Sequence, residues 1–307
     1  MALKPLLATL RSSDYGAYDP RAEAGGVLRE TSRMETQAAL SWREEQAILA
    51  RLVPRPDLSL LEVGSGTGAF TTRLLAAWPQ ARITALEPDP ELLALARQRI
   101  VAAADALAPQ WVAGSIECNN LPDGAYDLVV VRYVLQHLAD PVTAIHRLLP
   151  KLAPHGRIVA IDVDGALWGA AEPTDPALAA LHAAGADQNA NTHADGQAGP
   201  RTNRLVGRRL WHILRDAGCA DCRLEVFAYH SGDFGLAAFE SQLNPERLLR
   251  SVASGQLPFE NYLRLLQAHR QFMVDPHAFV LMLGFAAHGG RPEAAGDGLS
   301  GPAVAAA

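Results

Sequence analysis

The first chemical signal in the chain is the run Glu62-Val63-Gly64-Ser65-Gly66-Thr67-Gly68, which directly follows a short apolar stretch. Glycines at this spacing permit positive φ and let a ligand lie close against the backbone where a strand passes into a helix. The spacing is G-x-G-x-G, not the G-x-G-x-x-G of a dinucleotide fingerprint. Glu62, two residues before the first glycine, would repel a pyrophosphate and attract an ammonium or sulfonium group. The competing reading, a tight turn without a ligand, needs three glycines by chance at a switch point of an α/β sheet. Glu87 stands 23 residues beyond Gly64, where a carboxylate can accept hydrogen bonds from both ribose hydroxyls of an adenosine. Taken alone it can be read as a solvated strand-end acid, but much less readily at this spacing. Gly114-Ser115-Ile116-Glu117 adds a small polar and an aliphatic residue suited to an adenine edge and face.

The candidate reacting groups are chosen by position. Tyr133, Gln136 and His137 follow an expected fourth strand, and Asp162 and Asp164 end the fifth. Both places lie at the carboxyl edge of a parallel sheet, where open α/β folds bind ligands. The catalytic set is Tyr133, His137 and Asp164. His137, with an ordinary pKa near 6.5, suits a proton acceptor; a helix-start histidine with structural hydrogen bonds is the other reading. Asp164 can orient a cationic or hydroxylated substrate, or simply cap a turn. Cys219-Ala220-Asp221-Cys222 has no second cysteine pair to complete a zinc site and precedes a strand, so packing thiols are expected. The ten histidines show no ligand spacing, and no metal is expected. Arg201, Arg204, Arg208 and Arg209 form a basic run that reads as a solvated face, or as a contact for an anionic substrate or carrier protein.

These residues need elements to hold them. A helix over about 30–52 ends at Pro54 and Pro56, and Leu58–Val63 reads as a buried strand. Thereafter helix 69–78, strand 82–87, helix 90–100, strand 110–113 and strand 126–131 follow. Asp89-Pro90-Glu91 supplies an N-cap, a first-turn proline and an acid. Asp140-Pro141 opens another helix, Pro154-His155-Gly156 closes it, and strand 157–163 follows. A helix over 205–217, a strand over 222–228, a helical stretch over 236–272 and a last strand over 278–287 complete the pattern. Such alternation implies parallel βαβ units with right-handed crossovers. The organisation expected is an N-terminal helical lid over 1–52, a ligand-binding sheet domain over 53–288 carrying the insertion, and a disordered tail over 289–307.

Composition excludes several classes. The 307 residues are 49% hydrophobic and 20% charged, which suits a globular core. A net charge of −6 and only 6% aromatics argue against a nucleic-acid partner. No stretch approaches the roughly 18 apolar residues of a membrane span, and the opening residues are too short for a signal-peptide core. Three cysteines fit a reducing compartment, so a cytoplasmic location is expected.

Leu60–Phe70, Glu87, Ser115-Ile116 and Leu121-Pro122-Asp123-Gly124-Ala125-Tyr126-Asp127-Leu128-Val129 together resemble the class I S-adenosylmethionine-dependent methyltransferases. The apolar run Phe279–Phe285 is similar to that family's antiparallel seventh strand, and the likeness covers roughly residues 30–290. The resemblance implies a Rossmann-like seven-stranded α/β sheet, mostly parallel with the last strand antiparallel, and S-adenosyl-L-methionine as cofactor. It is strongest to the branch that methylates small molecules, including natural-product tailoring enzymes. By the same resemblance Gly64, Ser65 and Gly66, behind Glu62, lie along the methionine part. Glu87 with Pro88 takes the ribose, Ser115 and Ile116 the adenine, and Arg132 lies near the methionine carboxylate. Arg33, in Arg33-Met34-Glu35-Thr36-Gln37, resembles a pattern of the family's N-terminal helix, and Tyr15 and Tyr18 read either as part of a lid over the cofactor, with Tyr18 at the cofactor, or as an ordered tail. Two other uses of the same cofactor site stay open: intramolecular displacement to a cyclic amino acid plus methylthioadenosine, and a non-catalytic sensor of an adenosine ligand.

Overall fold

The computed structural model describes residues 26–100, 107–167, 170–174, 203–253, 255 and 257–292. Tyr15, Tyr18, Arg201 and the expected tail from 293 onward lie outside the described residues. Eight strands share one sheet: β1 (Ser59–Val63), β2 (Arg82–Glu87), β3 (Gln110–Ala113), β4 (Tyr126–Arg132), β5 (Leu152–Asp162), β6 (Ala170–Glu172), β7 (Ala220–His230) and β8 (Phe279–Gly290). The first five are parallel in the order β3-β2-β1-β4-β5. β8 then pairs antiparallel to β5 on one edge and to β7 on the other. These are the seven strands of the expected Rossmann-like sheet. The additional β6 is three residues long and takes up the edge of β8 beyond the end of β5. Its sequence, Ala-Ala-Glu, has no β-branched or aromatic residue to announce a strand.

The order of the parallel strands reverses between β1 and β4, so their carboxyl ends open a crevice there. β4 is the buried centre of the sheet: Leu128, Val129, Val130 and Val131 are wholly enclosed. Helices cover both faces. On one lie α1 (Gly26–Leu52), α2 (Ala69–Ala77) and the insertion between β7 and β8, packing Leu49, Leu74, Phe239 and Phe272 onto Leu60, Leu128 and Val159. α3 (Pro90–Arg99) follows β2, with Asp89 accepting from the N–H groups of Glu91 and Leu92 as the expected cap. On the other face α4 (Pro141–Leu148) and α5 (Leu210–Asp216) pack Ile145, Leu148, Ile213 and Leu214 onto Val129, Val131 and Ile158. The insertion begins at Ser231 and ends with α6 (Phe259–Val274), a little longer than the sequence suggested.

Two boundaries differ from the sequence reading for identifiable reasons. Pro154-His155-Gly156 does not close a helix. α4 already ends at Leu148, and the three residues form an irregularity inside β5, where the pairing slips between Tyr126–Leu152 and Leu128–Arg157. His155 there adopts φ 65°, and a Cβ on Gly156 would stand 2.7 Å from the Tyr126 carbonyl oxygen. A turn signal thus serves a strand bulge. β8 also runs to Gly290, pairing Gly289 and Gly290 with Ile158 and Arg157, so the strand takes the first residues assigned to the tail.

Candidate active site

The glycine turn is strung between β1 and β2. The N–H groups of Gly64 and Ser65 both donate to the Leu86 carbonyl, at 2.8 and 3.1 Å. Gly64, Gly66 and Gly68 have φ of 72°, 54° and 78°, the left-handed region that side chains resist. Close packing reinforces the requirement: a Cβ on Gly64 would meet Val134 Cγ2 at 2.5 Å, and one on Gly66 would meet Met34 Cε at 2.7 Å. Met34 belongs to α1, so the first helix lies across the turn. Its neighbour Glu35 pairs with Arg99 of α3, and Arg99 also donates to the Thr67 carbonyl at 3.3 Å.

Glu87 is buried at the end of β2, and its two carboxylate oxygens are held by different donors. Oε2 accepts from Gly66 N–H at 2.8 Å and Oε1 from Asp89 N–H at 3.0 Å. Burial pushes its pKa up to about 7 in spite of these donors. Each oxygen keeps a further lone pair, so the group can still receive two ligand hydroxyls. Pairing of Glu87 with Ala113 sets Ser115 and Ile116 just beyond the neighbouring strand end. The Ser115 hydroxyl accepts from Cys118 N–H at 3.1 Å and Asn119 bridges the Ser115 and Ile116 carbonyls, fixing this loop. Pro88 is half-buried and Ile116 buried. Glu62, also buried, accepts from the Thr71 hydroxyl of α2 at 2.6 Å, and desolvation pushes its pKa up to about 8. The Ser65 hydroxyl is buried with no partner among the described residues. The turn therefore fits a polar ligand running along it, with an orphaned hydroxyl at one end and Glu87 at the other.

On the reacting side the structure separates the candidates. The Arg132 side chain turns into α1, where Nε donates to Glu45 at 2.8 Å and Nη2 to Ser41 at 3.1 Å. Its guanidinium also lies over the rings of Tyr133 and Phe70, 4.3 and 4.8 Å from their centroids. The side chain is thereby committed to protein groups, and the backbone is what it offers at the strand end. Tyr133 leaves β4 at φ 55°, costly for an aromatic residue by roughly 1–3 kcal/mol. Its N–H donates to the Ile161 carbonyl, and its phenol oxygen is buried without a partner among the described residues. Gln136 donates through Nε2 to the Tyr133 carbonyl at 3.4 Å, leaving a buried Oε1 unpartnered among the described residues. Asp162 sits beneath, accepting from Gln136 and Val163 N–H, and burial pushes it up to about 7.

Two catalytic candidates change meaning. Burial together with Arg204 and Arg33 pushes His137 down to about 3, so the imidazole is neutral at pH 7 and a weak proton acceptor. The ordinary value assumed from sequence does not hold. Asp164 has both oxygens engaged by Arg208, one at 2.7 Å, and accepts from Ala166 N–H at 3.1 Å. It ties the loop after β5 to the start of the helical segment at 207–216, the capping alternative. Glu45 escaped the sequence reading. Its signal was present in α1, where an acid four residues after Ser41 and three before Ile48 falls on the buried face of the helix. Among the described residues no cluster of three or more His, Cys, Asp or Glu could hold a metal, and no helix is long and apolar enough to cross a membrane.

A doubly wound sheet with a glycine turn at its switch point and an acid closing β2 defines an α/β enzyme for an adenosine-bearing ligand. Residues 61–158 match the methyltransferase domain family. The chain is 30% identical over 156 residues to nodulation protein S of Sinorhizobium fredii, covering 49% of this chain and 69% of that protein. It is 28% identical over 253 residues to trans-aconitate 2-methyltransferase of Methylobacterium radiotolerans, covering 76% and 92%. Among solved structures, phosphoethanolamine N-methyltransferase 2 of Haemonchus contortus, bound to S-adenosyl-L-methionine, is a distant likeness: 17% identity, TM-score 0.47, 81% of this chain and 52% of that one. This chain belongs to the class I S-adenosylmethionine-dependent methyltransferases.

Proposed function

We propose that the chain methylates an oxygen, nitrogen or carbon atom of a small molecule of secondary metabolism, using the crevice between the glycine turn, α1 and the helical insertion. The observation that carries the reading is Glu87: a buried carboxylate at the end of β2 that fixes the glycine turn through Gly66 and keeps a lone pair on each oxygen. In this reading Gly64, Ser65 and Gly66 line the methionine part, Glu87 and Pro88 the ribose, and Ser115 and Ile116 the adenine. Arg33 belongs to the covering helix, and Glu62 faces the cationic end. Bound S-adenosyl-L-methionine would supply an already activated methyl group, held by Gly64, Ser65, Gly66 and Glu87, and the proton displaced from the acceptor would pass to solvent. The chain's own task is alignment, because in-line positioning supplies much of the rate when the leaving group is already activated. Tyr133 is the residue best placed to hold the acceptor. His137 and Asp164 shape the site's wall through Arg33, Arg204 and Arg208 and move no proton.

The test is incubation with methyl-labelled cofactor, with and without extracts of small molecules, followed by mass analysis of every product. Label in a new small molecule, matched by S-adenosylhomocysteine, is the expected result. Methylthioadenosine formed from the cofactor alone, above its spontaneous rate, would overturn it in favour of cyclisation. Absence of turnover with all extracts, despite binding, would leave a sensor.

A further inference from the structure

We infer that Tyr133 and Gln136 form the acceptor subsite, and that it takes a proton-bearing nucleophile, a hydroxyl or an amine, in preference to a carboxylate. The inference deepens the methyl-transfer reading and rests on it. Both residues stand on the short turn that leaves the carboxyl end of β4, beside the glycine turn: a Cβ on Gly64 would strike Val134, one of the two residues between them. Both present a buried polar atom with no partner among the described residues, the Tyr133 phenol oxygen and Gln136 Oε1. Buried polar groups are satisfied in the great majority of cases, so two orphans on one turn call for a ligand that completes them.

The chemistry of that ligand follows from what each atom can do. The orientation of the Gln136 amide is set by the Tyr133 carbonyl, which only accepts and therefore takes the Nε2 end. Oε1 is left as a pure acceptor. A third buried orphan nearby, Glu45 Oε1, is also an acceptor, and Glu45 and Asp162 both act on the Tyr133 phenol. A carboxylate carries no donor and would satisfy the Tyr133 hydroxyl alone while facing Gln136 Oε1. A hydroxyl or an uncharged amine can both donate to Gln136 Oε1 and accept from the Tyr133 hydroxyl. The left-handed backbone of Tyr133 is what turns its ring from the strand into this space, under the Arg132 guanidinium.

The cations Arg33 and Arg204 act on His137, the next residue along the turn, and make carboxylate capture there the competing outcome. The experiment uses the full chain saturated with S-adenosylhomocysteine and three matched probes, phenol, aniline and benzoate, with binding followed by ligand-observed magnetic resonance. Phenol and aniline are expected to bind at least tenfold tighter than benzoate. Tyr133→Phe and Gln136→Met are each expected to weaken them at least fivefold, with S-adenosylhomocysteine affinity kept within twofold. Tyr133→Phe removes a single atom, so it tests the subsite even if Gln136→Met fails to fold. Benzoate binding as tight as phenol, no binding by any probe, or indifference of both variants would overturn the inference. Failure of S-adenosylhomocysteine to bind the wild type would instead overturn the methyl-transfer reading beneath it.

Discussion

If Glu87 takes the ribose, as proposed above, cofactor binding is a proton-linked event. In the empty protein burial holds its pKa at about 7, against an ordinary value of 4.5. Ribose hydroxyls donating to its free lone pairs favour the charged form and pull the pKa back down. The sign is fixed by this order: the free protein binds more protons than the complex, so affinity must rise with pH through the free-state pKa. If the bound value returns to the ordinary one, about nine in ten molecules at pH 6 must shed a proton from Glu87 to bind. Its contribution to affinity then rises about fivefold from pH 6 to 7 and by less than about twofold from 7 to 8. Calorimetry with S-adenosylhomocysteine in buffers of different ionisation enthalpy measures the proton count directly. Glu62, pushed up to about 8 beside the same turn, contributes protons of its own, so the decisive quantity is the difference from Glu87→Gln. That variant should release about 0.9 proton fewer at pH 6. It should also bind more weakly by about 1–3 kcal/mol, because its amide sets a donor against Gly66 or Asp89 N–H. Equal proton release by wild type and variant would refute the reasoning.

Gly66→Ala should abolish measurable cofactor binding and lower stability by about 1–3 kcal/mol, since it forces a side chain into φ 54° and against Met34; a chevron or urea midpoint unchanged from wild type would contradict this. Glu45→Ala strips the buried Arg132 of its carboxylate and should destabilise the protein by about 3–5 kcal/mol in urea denaturation. Asp164→Asn should lower the thermal midpoint yet leave cofactor affinity within about twofold, as a loop tie would; a selective loss of turnover at unchanged stability would return it to the catalytic set. With His137 held near 3, the pH profile of kcat should show no inflection near 6.5 that His137→Gln removes.

What was legible in the sequence was local. The strand, the three glycines and Glu87 lie within 29 residues, and each declares its place in the fold through its own backbone demand or its position at a strand end. Asp89-Pro90 and Asp140-Pro141 likewise announced α3 and α4 because a cap acts on residues two or three away. What failed was set by distant partners. The pairing of Arg132 with Glu45 joins residues 87 apart, and no pattern in β4 says that its terminal arginine turns toward α1. His137 carries an ordinary imidazole in sequence and a displaced one in the fold, because Arg33 and Arg204 arrive from elsewhere in the chain. Pro154-His155-Gly156 has the composition of a helix stop, and only the register of β4 against β5 reveals it as a bulge.

The first helix has a mechanical asymmetry. At 27 residues it is a rod about 40 Å long. Its rear half is riveted to the sheet by the enclosed Glu45–Arg132 pair and by Leu49, while its front half touches the glycine turn through Met34 and reaches α3 through the solvent-facing Glu35–Arg99 pair. An enclosed pair costs several kcal/mol to break, whereas an exposed one is worth about 0–1 kcal/mol. Of the pairs named, the rear one is therefore far costlier to break than the front one, and if the proposed ligand site is right, a glycine placed ahead of Ala38 should alter ligand exchange rates more than it alters the fold's resistance to denaturant.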